Sequence, residues 1–570
     1  MKFSNIYTLF REQTVNYRGK PIFYSRENNV WKSQNWEDFE EQVHDFACAL
    51  LAKNLTRGAA VDILAGNIPE WTIVDVAAIA AGGIGVGIYP TSSMEQCEFI
   101  INHSDAEFLF VDSYEQFEKA TNTSAAFPKL KEIIILERID ETLVELVEKE
   151  NKFGVDVKYI PVTSYQDFLE FGRQNRDEFL PRVEEIGFNA KPEDAAIMVY
   201  TSGTTGNPKG AVLSHQYILN SIESLRQTIA IYDTDVSFSY LPGCHVAERI
   251  SGIYNRLYNG TPAHFVDDLS KLYAYMLEIK PTVFASLPRF FEKIYAKVIS
   301  ENGKDADAQT LRDAFGGNVR LLTSGGAPLP NEIASFFAKR NLPILQAYGL
   351  TENICVAFNR PDDFRFGTVG KAMPMCEIKI AADGEILIKS PMMFSGYYKE
   401  REKTAEMFDA DGWLKTGDLG ELDADGFLKI TGRKKEIVVL SSGKNVAPAL
   451  IENLVKENYL ISQCFVSGDG RSFCVALITL NQAETEAFAR ANKIEFINFA
   501  ELTKNDVIFE SVKTTVERAN RRISPPEQIK RFIILERDFQ SNLDEVTPTL
   551  KLKRNVVAAN FADALEKLYE

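Results

Sequence analysis

Through roughly its first 430 residues the chain alternates short apolar runs with amphipathic helical stretches, and that alternation favours α/β units around a largely parallel sheet. VDILAG (61–66), EFLFVD (107–112) and EIIIL (132–136) are such runs, each followed by a helical pattern or a turn. After about Gly367 the texture changes to short strands broken by Asp383-Gly384, Asp411-Gly412 and Asp425-Gly426. Asp-Gly pairs between short strands predict a small, mainly antiparallel subdomain. The polar stretch GRKKE (432–436) then marks a boundary, and the residues beyond it suffice for a separate core.

The fold class expected is therefore α/β: a large N-terminal domain of α/β subdomains with a small β-rich subdomain, and a smaller α+β C-terminal domain. The 570 residues, 45% of them apolar, can bury several cores. Val76 to Met94 is nearly long enough to span a bilayer, but its four glycines and Pro90 predict a buried helix turning into a short strand. In the last segment, Val557, Phe561, Leu565 and Leu568 share one helical face, which reads as packing. ENGKDADAQ (301–309) reads as a solvated loop or helix start.

Charge and cysteine usage narrow the function classes. The 63 basic and 80 acidic side chains leave a net charge of −17, which argues against nucleic acid as the main partner. Seven dispersed cysteines and five dispersed histidines form no metal-ligand spacing, so reduced thiols in a cytoplasmic protein are expected. The N-terminus lacks the apolar centre of a secretory signal.

The most informative segment is Tyr200 to Gly210, YTSGTTGNPKG, lying between the apolar strand AAIMVY and a helix bearing Ile218, Ile222, Leu225 and Ile229 on one face. Gly203, Gly206 and Gly210 permit a tight path that turns backbone N–H groups inward. Thr201, Ser202, Thr204 and Thr205 add hydroxyl donors, and Lys209 adds a positive charge. Such a loop can hold a polyphosphate. It is not a Walker A loop, because Gly210 and Ala211 follow Lys209.

YTSGTTGNPKGAVLSH resembles the phosphate-binding signature of the adenylate-forming superfamily of acyl-CoA synthetases, peptide-synthetase adenylation domains and luciferases. Further motifs of that superfamily follow in order: SGGAPL (324–329), QAYGLTE (346–352), GTVGK (367–371), GWLKTGDLG (412–420), GRKKE (432–436) and VTPTLKLKR (546–554). YPTSSMEQ (89–96), SYLPGCHVAERISG (239–252) and PTVFASLPRFFEKIY (281–295) resemble the long-chain fatty acyl-CoA synthetase branch.

The resemblance implies that a fatty acid attacks ATP to give an acyl adenylate and pyrophosphate, and that CoA then displaces AMP. It implies Glu352 as the Mg2+ ligand, with Gly349 and Thr351 beside it at the α-phosphate. It implies Asp418 on the ribose hydroxyls, Arg433 closing over the nucleotide, and Tyr348 with Gly325, Gly326 and Ala327 lining the adenine pocket. Lys551, followed three residues later by Arg554, resembles the catalytic lysine of the C-terminal domain. Thr204, Glu352 and His245 complete the catalytic set, and His245, with Glu248 and Arg249, is expected near the mouth of an acyl tunnel, with packing and salt bridging at a helix start as the equal alternative for these three. Lys435 matches the residue about which the small domain turns. The division expected is 1–432, a hinge at 433–436, and a cap at 437–570.

These anionic reactants need cations and aligned donors, so the implied roles also make chemical sense residue by residue. Two other readings remain open from sequence: transfer of the acyl group to a carrier-protein thiol, and a catalytically silent binder. Insoluble substrate makes peripheral membrane contact conceivable, yet no basic amphipathic helix is legible. The sequence leaves the oligomeric state and the exact acid open.

Overall fold

A computed structural model describes residues 2–122, 126–137, 160–201, 207–540, 543–547 and 551–570. Its largest sheet has eight strands, in the spatial order Gly396–Tyr397, Lys209–Ser214, Ala195–Thr201, Ile84–Ile88, Ala60–Leu64, Ala106–Val111, Glu132–Ile135 and Val162–Ser164. The six strands from Ala195–Thr201 onward run parallel, whereas Lys209–Ser214 and Gly396–Tyr397 are antiparallel additions at one edge. Ile84–Ile88, Ala60–Leu64 and Ala106–Val111 are buried along their whole length. Helices cover both faces of such strands, which is why their sequences are continuously apolar rather than alternating.

The stretch from Val76 forms the end of the buried helix Pro69–Ala80, a turn at Gly82, and the strand Ile84–Ile88. Among the described residues no helix is long and apolar enough to cross a membrane.

A second sheet runs Val283–Ser286, Leu321–Ser324, Ile344–Leu350, Asn353–Phe358 and Lys371–Ala372, parallel for the first three strands and antiparallel thereafter. The expected β-rich subdomain is a four-stranded antiparallel sheet of Glu377–Ile380, Glu385–Lys389, Leu414–Leu422 and Leu428–Arg433. Gly384, Gly412 and Gly426 hold φ of +86°, +77° and +84° in the three Asp-Gly turns. The polar run at 301–309 connects the helix Pro288–Asn302 to Ala308–Asp313, whose first turn is capped by Asp307.

The smaller C-terminal domain has cores of its own. One gathers Val438, Ile451, Val466, Ile478 and Val512, and the other Phe465, Leu477, Phe539, Val557 and Leu565. Its three-stranded sheet is Ile461–Ser467, Cys474–Leu480 and Ile529–Ile534. Val557, Leu565 and Leu568 are buried as expected of a packing stripe, but two helices carry them, Arg554–Asn560 and Ala562–Lys567, with the break at Phe561. Ile229 likewise falls one residue past the helix His215–Thr228, in extended conformation. All seven cysteines are buried and unpaired with one another.

Candidate active site

The glycine-rich segment connects two neighbouring antiparallel strands. Thr201 ends one, Lys209 begins the next, and the two residues face each other across the ladder. Ser202, Gly203, Thr204, Thr205 and Gly206 lie outside the described residues. Lys209 places its ammonium 4.9 Å from the centre of the Tyr397 ring. Tyr397 sits on the strand beyond, opposite Ala211, and its hydroxyl donates to the Glu352 carboxylate. Burial, and then Glu352, push the phenol's pKa far up, so it stays a donor.

Glu352 is fixed by a hairpin. Leu350 pairs with Asn353, leaving Thr351 and Glu352 as the two residues of the turn. Gly349 is required there, because a Cβ would stand 1.9 Å from the Ile354 carbonyl oxygen. The turn is tied to the helix that follows the phosphate-loop strands. Tyr217 Oη donates to the Thr351 carbonyl at 3.0 Å and accepts from the Ile354 N–H at 2.9 Å.

The loop of Gly325, Gly326 and Ala327 leaves the strand Leu321–Ser324, which lies parallel to Ile344–Leu350. Gln346 holds the loop by accepting from the Leu329 N–H at 3.1 Å. From the same strand Tyr348 donates to Asp418 Oδ2 at 2.6 Å. Asp418 and Arg433 are cross-strand partners, and Arg433 Nε stands 3.1 Å from Asp418 Oδ1. Asp418 is 6% exposed, whereas the Arg433 side chain is 51% exposed. An ion pair so wet on one side contributes little stability, leaving the guanidinium free to exchange partners. Next to it Lys434 is pinned to Asp383 at 2.6 Å and Glu385 at 2.8 Å, which raises its pKa. Lys435 is exposed in the short turn Lys434–Glu436.

Lys551 belongs to the C-terminal domain; residues 548–550 of the VTPTLKLKR motif before it lie outside the described residues. Thr547 N–H donates to the Lys551 carbonyl at 2.8 Å, and Lys551 N–H returns a bond to Thr547 Oγ1 at 3.1 Å. Glu545 is fully buried. It accepts from Arg537 at 2.6 and 2.7 Å, from the Gln540 N–H at 3.0 Å and from Asn560 at 3.1 Å. Arg554 anchors the segment to Glu452 at 2.7 Å. The lysine is exposed, and its ammonium feels charged groups of the large domain and the boundary turn. Partial desolvation and Arg433 lower its pKa, while Asp418, Glu436 and Glu352 act in the opposite direction.

His245 feels the same ammonium. Burial first, and Lys551 second, bring its pKa down to about 4. Its Nδ1 accepts from the Ala247 N–H at 3.1 Å, so the neutral ring carries its proton on Nε2. Glu248 and Arg249 follow the salt-bridging alternative, because both are paired inside the protein. Arg249 and Asp75 form a pair with no exposed side-chain surface, supplemented by Tyr254 Oη at 2.7 Å from Asp75 Oδ2. Glu248 accepts from Ser239 Oγ at 2.7 Å and from Arg256. A charge that deep must be paired, which outweighs any role at a tunnel mouth.

Lys209 and Glu352 thus meet at Tyr397, Tyr348 and Arg433 meet at Asp418, and Lys551 shares its electrostatic surroundings with Arg433, Asp418, Glu352 and His245. Three residues that organise these contacts, Tyr217, Tyr397 and Glu545, carry no signal in the sequence. A tyrosine on an apolar helix face and a glutamate in a polar loop look ordinary until their partners are known.

A family model described as AMP-binding enzyme matches residues 10–398, more than half of the chain. The chain belongs to this family. The model of the AMP-binding enzyme C-terminal domain matches residues 435–570. Long-chain-fatty-acid–CoA ligase FadD15 of Mycobacterium bovis is 32% identical over 95% of this chain and 93% of its own length. The peroxisomal long chain acyl-CoA synthetase 6 of Arabidopsis thaliana is 30% identical, over 91% of this chain and 79% of its own.

Among solved structures, the A domain of carboxylic acid reductase from Segniliparus rugosus, in complex with AMP and a co-purified carboxylic acid, superposes with a TM-score of 0.80. It covers 99% of this chain and 94% of its own at 19% identity. The anthranilate CoA ligase AuaEII, in complex with anthranoyl-AMP, gives 0.73 over 99% and 98% at 18% identity. At those identities the likeness is one of fold, and it matches the α/β class with a large N-terminal and a smaller C-terminal domain.

Proposed function

We propose that this AMP-binding enzyme is a long-chain fatty acid–CoA ligase: it activates a fatty acid with ATP to a bound acyl adenylate, releasing pyrophosphate, and transfers the acyl group to CoA, giving acyl-CoA and AMP. The single observation that carries the mechanism is the shared electrostatic environment of Lys551 from one domain with Asp418, Arg433 and Glu352 from the other. An ammonium at that point can offset charge as the fatty carboxylate meets the α-phosphate. Arg433, already on Asp418, can move to phosphate or ribose oxygens while Asp418, held by Tyr348, keeps the ribose hydroxyls.

Glu352 is the proposed Mg2+ ligand. Among the described residues no group of three His, Cys, Asp or Glu side chains could hold a metal ion, and Glu352 presents one carboxylate close to the phosphate-loop strands. That donor set fits a hard ion taking its other ligands from water and substrate phosphates. When bound, the ion would supply positive charge to the departing pyrophosphate.

The proposed division is a large domain to residue 432, a hinge at 433–436 and a cap from 437. The exposed Lys435, between the pinned Lys434 and the body of the cap, supports a pivot there. With Lys551 in the mouth of the cleft, the CoA thiol needs the cap to move aside before it can reach the adenylate. The neutral His245, beside that mouth, is the proposed contact for the reacting end of the acid. An apolar tunnel behind it would favour long chains by about 0.8 kcal/mol per buried methylene. The proposed compartment is the cytoplasm, with any membrane contact peripheral.

The test is pyrophosphate release against acids of graded length, with and without CoA. Release with long-chain acids, and acyl-CoA formation with CoA as the only acceptor, is the expected result. Release without thioester formation would favour a carrier-protein acceptor, and no release with any acid would leave a silent binder.

A further inference from the structure

The helix Pro288–Asn302 begins directly behind the adenine-side loop: a Cβ on Gly326 would stand 3.3 Å from Leu287 Cδ2. Its second residue is Arg289, and a cation in the first turn of a helix opposes the helix dipole. The position makes sense through contacts outside the helix. Arg289 Nη2 donates to the carbonyl oxygens of Tyr459 at 3.0 Å and Ile461 at 3.2 Å, both in the C-terminal domain, while Nη1 binds Glu292 at 3.0 Å. The turn bearing those carbonyls is stiff. Asn458 Oδ1 accepts from the Leu460 N–H at 3.0 Å, its carbonyl accepts from the Ile461 N–H at 2.9 Å, and its amide donates to Thr515 Oγ1 at 3.0 Å.

We propose that Arg289 is a positioning residue that clamps the cap in the arrangement placing Lys551 at the cleft, and so selectively supports adenylate formation. The inference rests on the ligase reading above, in which the cap moves between the two half-reactions. One guanidinium forked across two carbonyls of a rigid turn matches a single relative orientation of the domains. When the cap turns, the carbonyls leave, and water replaces only part of what the half-buried guanidinium gave them. The bonds therefore favour the arrangement that makes them, as a population shift requires. A nearby crossing, Lys293 to Glu484, is 3.9 Å long between side chains 55% and 35% exposed, and adds little.

The experiment separates the half-reactions in Arg289→Ala, Arg289→Lys and a Lys293→Ala control. Acid-dependent pyrophosphate exchange reads the first, and thioester formation from supplied acyl adenylate and CoA reads the second. Arg289→Ala is expected to lower the first by roughly 5–30-fold while the second stays constant or rises. Arg289→Lys should fall between, and Lys293→Ala should match the parent. Energy transfer between dyes on the two domains should show the cleft-closed population shrinking in Arg289→Ala. Equal loss in both half-reactions with a lowered unfolding temperature, or no change in either, would overturn the clamp. A parent enzyme giving no pyrophosphate exchange with any acid would overturn the ligase reading instead.

Discussion

Glu352 stands on a two-residue turn between paired strands, 8% exposed, with Tyr397 on its carboxylate and Tyr217 beneath its turn. Lys551 belongs to a segment whose flanking contacts, among Glu545, Arg537, Asn560, Arg554 and Glu452, all lie within the C-terminal domain. The floor of the cleft is continuous with the core of the large domain, whereas the lysine rides on cores of its own. Residues fixed by cross-strand pairing can serve every step that handles the nucleotide. A residue carried by a separate body can serve one step and be withdrawn for the next.

That contrast is most directly broken by Lys551→Ala. Pyrophosphate exchange should fall by roughly 10²–10³-fold, the scale for losing one charge-stabilising donor. Thioester formation from supplied adenylate should stay within a few-fold, and equal loss of both would remove the distinction between floor and cap. Asp418→Asn provides the opposite pattern, lowering both half-reactions by about 10–100-fold, since the ribose is held in each. Selective loss of one would show that Asp418 serves a single arrangement.

Lys435→Pro, which restricts φ at the proposed pivot, should slow thioester formation by about 10-fold with a smaller effect on pyrophosphate exchange. An unchanged thioester rate would move the pivot elsewhere. The lowered pKa of Lys551 adds a pH signature: pyrophosphate exchange should lose activity on the alkaline side at a pH below the lysine's ordinary 10.5. That limb should be missing from thioester formation and should move upward in Lys551→Arg.

The smallest effect is on stability. His245 has its pKa brought down from 6.5 to about 4, so the unfolded chain binds more protons between those values. Stability from its neutral ring is complete above pH 6.5 and is lost as pH falls towards 4. His245→Gln should make the decline of the unfolding midpoint over that window shallower, by about 2 °C in a thermal scan. A slope identical to the parent's would mean that the ring is more hydrated than its surroundings indicate.

Much of the fold was legible because its signals are local. The buried run around Ile84–Ile88, the Asp-Gly turns of the antiparallel subdomain and the strand before Thr201 each follow from neighbouring residues in the chain. Phe561, where the C-terminal helical stripe breaks, and the partner of Arg249, which is Asp75, are not legible for the complementary reason. An amphipathic pattern does not reveal where a helix kinks, and a charged residue in a motif does not reveal a partner 174 positions away. Tyr397, Tyr217 and Arg289 were invisible because each acts on a group from a distant segment.

The sequence by itself determined the class of chemistry, since glycines, hydroxyls, carboxylates and cations in a fixed order can be recognised without coordinates, and it determined the strands and turns that carry them. Only the tertiary structure decided which charges stay buried as structural pairs, which reach the cleft, and which guanidinium crosses between the two domains. Pairing energy and desolvation depend on distances between segments far apart in the chain, and those distances exist only once the chain has folded.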